Sequence, residues 1–89
     1  MNNNEFIKLV KNIVVEYFNN IKEKTDVFVL TEDDVYVVWL CKTLQNNKAL
    51  VSTNVADGMY YEITYNGDKQ EFYVDAYKKL DNVVIRKVN

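Results

Sequence analysis

Between about residues 5 and 24, apolar side chains recur every three or four positions, at Phe6, Val10, Ile13, Val14, Tyr17, Phe18 and Ile21. That spacing puts them on one stripe of an amphipathic helix. Asn2 followed by Glu5 has the form of a helix cap, the Asn accepting a backbone N–H while the Glu reaches back. Glu5 complements the positive start of the helix, and Lys22 and Lys24 complement its end. From Val27 onward the period falls to two, with turn residues between short runs, which is the pattern of strands. The expected fold is α+β: a single domain over residues 1–89, with one N-terminal amphipathic helix packed on a roughly five-stranded antiparallel meander sheet spanning about 27–88.

Turn chemistry suggests the strand pairing. Asn66-Gly67 is the preferred centre of a two-residue type I′ hairpin. It would set Tyr61 opposite Phe72 and Met59 opposite Val74, leaving Met59, Tyr61, Ile63, Phe72, Val74 and Ala76 on one face. A three-residue loop Ala56-Asp57-Gly58, with Gly58 left-handed, would oppose Val55, Thr53, Val51 and Ala49 to Met59, Tyr61, Ile63 and Tyr65. A loop over 45–48 is expected to join a strand at 35–44 to one at 49–55. A last strand is expected over 83–88 after a turn at 79–82, and a short one over 27–30.

The run Val35-Tyr-Val-Val-Trp-Leu-Cys41 breaks the alternation, because it is apolar on both faces of any strand it forms. Val35, Val37, Trp39 and Cys41 share one side, and Tyr36, Val38 and Leu40 the other. Whether Trp39 or Leu40 faces the helix depends on the loop that follows. Thr31-Glu-Asp-Asp34 also has the form of a capping box, which leaves a helix over 32–44 as the rival. The β-branched and aromatic density of the run favours a strand.

Composition narrows the function classes. A net charge of −2 and pI near 5.0 argue against nucleic acid as a main partner. The lone cysteine fits a reducing cytoplasm, and the sequence shows no signal peptide or membrane span. The chain has no histidine, so the commonest general base and zinc ligand are missing and no Ser-His or Cys-His pair can form. Both glycines are turn residues, so there is no phosphate loop. Glu32, Asp33 and Asp34 read as a solvated turn, Cys41 as a small buried residue, and Glu62 facing Glu71 as a tolerated surface pair. The expectation is a non-enzymatic protein with no cofactor or metal.

Seven tyrosines are many for 89 residues. Tyr36, Tyr60 and Tyr73 fall on the sheet face away from the helix, with Tyr60 directly opposite Tyr73, and Val38, Leu40 and Leu50 can join them if Trp39 faces the helix. An apolar patch edged with tyrosine hydroxyls has the make-up of a protein-binding face, and homodimerisation is its simplest use. The alternative is a small-ligand binder, for instance of a nucleotide signal, using Trp39, Lys42, Asn46, Asn47 and Lys48.

The segments Trp39-Leu-Cys-Lys-Thr-Leu-Gln-Asn-Asn-Lys-Ala-Leu50, Asp57-Gly-Met-Tyr-Tyr-Glu-Ile-Thr-Tyr-Asn-Gly67 and Tyr73-Val-Asp-Ala-Tyr-Lys-Lys79 carry a likeness over nearly the whole chain. The protein resembles a family of small uncharacterised proteins of Firmicutes phages and prophages that form a domain of unknown function. The resemblance transfers no functional residue. It implies a bacterial host cytoplasm and an accessory role toward a host or defence component. Twelve Asn and ten Lys against one Arg, the mark of an AT-rich genome, agree with such an origin.

Overall fold

The computed structural model describes residues 1–21 and 29–88. Helix α1 (Asn3–Ile21) is followed by a 3-10 turn (Glu32–Asp34) and by strands β1 (Val35–Thr43), β2 (Asn46–Thr53), β3 (Met59–Asn66) and β4 (Glu71–Lys78). The strands pair antiparallel in chain order, so the sheet is a simple meander. The cap forms as the sequence suggests. Asn2 Oδ1 accepts the Glu5 N–H at 2.8 Å, and Asn2 Nδ2 donates to Glu5 Oε1 at 2.9 Å. Lys22 and Lys24, expected at the other end, lie outside the described residues.

α1 presses Phe6, Val10 and Val14 onto Val35, Ala49, Val51, Tyr61 and Ile63, with Leu30 closing one end. Phe6 stacks on Phe72 at 6.4 Å between ring centres, and Tyr17 meets Tyr61 edge-on at 5.8 Å. Burial, with lesser contributions from the charges of Asp57 and Tyr17, pushes the Tyr61 hydroxyl above its ordinary pKa. The Asn19 side chain pins the returning chain: its Nδ2 donates to the Leu30 carbonyl and its Oδ1 accepts the Leu30 N–H. One side chain thereby satisfies both polar groups of a buried residue's backbone.

β1 contains a β-bulge. Val37 opposes Val51, yet Trp39 opposes Leu50, so Val38 is an extra residue in the ladder. The strand changes phase there. Val35 and Val37 face α1 before the bulge, and Leu40 and Lys42 face it afterwards. Without the bulge Trp39 would lie opposite Ala49 beneath the helix. With it Leu40 takes that place, and Trp39 moves to the outer face. Cys41 moves out with it and is exposed, contrary to its expected burial. The rival helix over 32–44 is not formed, since helical backbone stops after one 3-10 turn.

Two registers differ from those suggested by turn preference. Ala49 opposes Ile63 rather than Tyr65, and Tyr61 opposes Ala76 rather than Phe72. Both slips are even, so every side chain keeps its face. Each has a local cause. Asn54 stays with β1, its N–H donating to the Asp34 carbonyl one step beyond the Val35–Thr53 pair and its Nδ2 to Asp34 Oδ1, which lengthens the connection to β3. Asn66 uses its side chain as an acceptor for the N–H groups of Asp68 and Lys69, which opens the connection to residues 67–70. The expected loop at 45–48 shrinks to Leu44-Gln45, and β2 begins at Asn46.

Among the described residues the sheet has four strands, not five. Each hairpin turns on one residue with positive φ: Leu44 (55°), Gly58 (70°) and Gln70 (53°). Residues 79–82 contain none, and 83–88 is exposed, pairs with no strand and forms no fifth one. Val29 and Leu30 lack regular structure, and the rest of the expected 27–30 strand lies outside the described residues.

The two glycines do different work. Gly58 supplies a left-handed residue, and a Cβ there would make only ordinary van der Waals contact, 3.6 Å from the Lys79 carbonyl oxygen. Gly67 has no positive φ, but a Cβ there would overlap the Gln45 carbonyl of the neighbouring turn. The two turns are keyed together, with Gly67 N–H donating to Asn46 Oδ1 and Gln45 Nε2 to Asp68 Oδ2. Gly67→Asn should therefore cost about 1–3 kcal/mol through overpacking. Gly58→Asn should be nearly neutral, because Asn tolerates the left-handed region. Thermal unfolding monitored by circular dichroism compares the two; equal losses would refute the distinction.

Asp34 gives an acid-stability prediction. The backbone N–H of Thr31, the amide of Asn54 and the hydroxyl of Thr31 hold its carboxyl below the ordinary 3.8, against a smaller opposing effect of burial. The folded chain prefers the ionised form, so this stabilisation is complete above about pH 4 and fades as pH falls through the lowered value. Asp34→Asn should flatten that acid-side loss in melting temperature. An unchanged pH profile in the variant would exclude Asp34 as its source.

Candidate interaction surface

The registers assemble the outer sheet face row by row. Tyr36, Ser52, Tyr60 and Tyr77 are paired neighbours across all four strands. The next row is Trp39, Leu50, Glu62 and Asp75, and the one after it Cys41, Lys48, Thr64 and Tyr73. No described element lies over this face. Tyr36, Val38, Trp39, Tyr73 and Tyr77 are between 41% and 53% exposed, far more than aromatic side chains in a covered sheet.

Ser52 is the small member of the first row. It is buried among the flanking side chains, and its hydroxyl donates to the Met59 carbonyl at 2.8 Å. A polar atom that would be costly to bury unpaired is thus satisfied. Charge lies toward the far strands. Lys48 meets Glu62 at 3.1 Å, while among the described residues Asp75 and Glu71, on the exposed edge strand, form no ion pair. Tyr73 donates its hydroxyl to Glu71 Oε2 at 2.7 Å, which raises the phenol pKa by stabilising the neutral form. Glu62 opposes Asp75 rather than Glu71, and its partner is the lysine, so no carboxylate dyad is built.

The candidate residues separate accordingly. Tyr36, Val38, Leu50, Tyr60 and Tyr73 lie on the outer face. Leu40 lies on the helix side, half-buried against the core, and Trp39 replaces it on the outer patch. Tyr60 and Tyr73, expected to oppose each other, are two rows apart, and Tyr77 is the residue paired with Tyr60. Tyr77 was discoverable in the sequence, since it shares its parity with Tyr73.

Trp39, Asn46, Asn47 and Lys48 line a cavity of about 370 Å³ together with Cys41, Thr43 and Thr64. Lys42 is not part of it. After the bulge it points to the helix side, and its Nζ donates to the Met1 carbonyl at 2.5 Å. Asn47 also alternates to the helix side. It is 2% exposed, and its Nδ2 has no hydrogen-bond partner among the described residues. Because Asn46 and Lys48 flank it on the opposite face, that amide does not aim into the cavity.

Among the described residues no three His, Cys, Asp or Glu side chains are grouped to hold a metal ion, and no helix is long and apolar enough to cross a membrane. No curated protein and no solved structure matches the chain. A match to a family does exist, and it runs from the second turn of α1 to the end of the C-terminal segment. Residues 7–87 match the Family of unknown function (DUF6275), and the protein belongs to that family.

Proposed function

We propose that this protein is a non-enzymatic protein–protein interaction module that docks its partner on the outer sheet face. The observation that carries the reading is the row Tyr36, Ser52, Tyr60 and Tyr77, continued by Val38, Trp39 and Leu50 on a face that no described element covers. Tyrosine and tryptophan give a large contact area with few rotatable bonds, which suits a docking surface. The flanking acids Glu62, Asp75 and Glu71 favour a partner with basic groups around an apolar centre. The resemblance to proteins of Firmicutes phages and prophages supports an accessory role in the bacterial cytoplasm. The partner is then a host or defence component, or a second copy of the chain.

Tyr36→Lys combined with Tyr60→Lys tests the face, because neither side chain belongs to the helix-side core. The variant should keep its circular dichroism spectrum and melting temperature while losing partners that the wild-type chain retains from infected-host lysate. Retention of the same partners by the variant would sink the proposal.

A second reading has its own observation, the cavity beside Trp39 and Lys48. Its volume lies within the range of small-ligand sites, and an indole beside an ammonium suits an anionic, stackable molecule such as a nucleotide. Cyclic and linear nucleotides at millimolar concentration should then raise the melting temperature of the wild type but not of Trp39→Ala. The absence of any shift in the wild type would dismiss this reading.

A further inference from the structure

The C-terminal segment leaves the sheet without covering its apolar residues. Lys79 N–H donates to the Gly58 carbonyl at 2.8 Å, which carries the β3–β4 ladder one step beyond Lys78. Past that point Leu80, Ile85 and Val88 are 90–91% exposed, and Val83 and Val84 are also open. The radius of gyration is 15.0 Å, against about 12 Å for a compact chain of this length. The family match nevertheless runs through residue 87, so the arm is part of the domain and not an appendage.

A complementary surface exists on β4. This strand is a sheet edge with unpaired backbone groups, no proline and no bulge. The opposite edge, β1, is interrupted by the bulge at Val38. On β4 the helix-side face stays partly open, with Val74 half-buried and Ala76 exposed, while Glu71 and Asp75 project from the other side. The arm carries Arg86 and Lys87 and alternates Val83 and Ile85 with Val84 and Arg86. It does not fold back onto its own β4: residues 79–88 are exposed and carry no strand pairing.

We propose that the arm of one chain pairs along β4 of a second copy, and that the exchange is reciprocal. An antiparallel register with Ile85 beside Ala76 puts Arg86 beside Asp75 and Val84 beside Tyr77. Ile85 then extends the helix-side face, and the arginine meets an exposed carboxylate. Lys87 falls beside Val74, where its stem covers the valine and its ammonium reaches water past the edge. This contact runs along the edge of the sheet, borders the outer face at Asp75 and Tyr77, and leaves Tyr36, Trp39 and Tyr60 untouched.

Sedimentation of the full chain at tens of micromolar should show a dimer of the 10.5 kDa chain. Ile85→Lys should convert it to monomer with an unchanged circular dichroism spectrum. Asp75→Arg and Arg86→Asp should each weaken self-association about tenfold by placing like charges together. Mixing these two variants should restore a tight heterodimer, because each arm then meets an opposite charge on the other chain. A monomeric wild type would overturn the proposal, as would a dimer indifferent to Ile85→Lys or a mixture no tighter than its components. Loss of the dimer in Tyr36→Lys/Tyr60→Lys, with Ile85→Lys unaffected, would assign self-association to the outer face instead.

Discussion

One helix has to cover a four-stranded sheet, and it can cover only one side. An α-helix is about 10 Å across, while four strands spaced about 4.8 Å apart make a wider surface. α1 meets this limit with its largest side chains. Phe6 reaches β4 through its stack on Phe72, and Tyr17 reaches β3 through Tyr61. The core therefore lies between α1 and the inner rows of β1–β3, and it thins toward β4. An aromatic outer face and an open β4 edge are what this coverage leaves over.

The sequence made this arrangement legible where one physical rule acts alone. Helical spacing located α1, and the Asn2–Glu5 cap formed with the expected partners. Alternation placed residues 49–53 of β2, and those of β3 and β4, on their correct face, because parity survives any even slip in register. The registers themselves were not legible. They depend on Asn54 and Asn66 using their side chains as turn and tether groups, which competes with the ladder in ways that local turn preferences do not encode. The run 83–88 has strand composition, but composition does not supply a neighbour to pair with.

The candidate site was readable to the same degree. Tyrosines at like parity on different strands must share a face, so the outer patch could be assembled before its rows were known. β1 was the exception. A bulge moves every residue beyond it to the other side, so Leu40 and Trp39 exchange places and Lys42 leaves the group around Lys48. The trace it leaves in the sequence is a run apolar at both parities, which by itself fits a strand buried on two faces equally well.

That bulge also bears on how large an assembly can become. A meander with two straight, open edges can accept neighbours on both and grow into an unlimited ribbon. Val38 distorts one of those edges and leaves β4, among the described strands, the straighter edge for further backbone pairing. Units with one valence can only form closed pairs. A single inserted valine thus makes that edge a poor template for sheet growth, a common way for small β-rich proteins to avoid open-ended polymerisation.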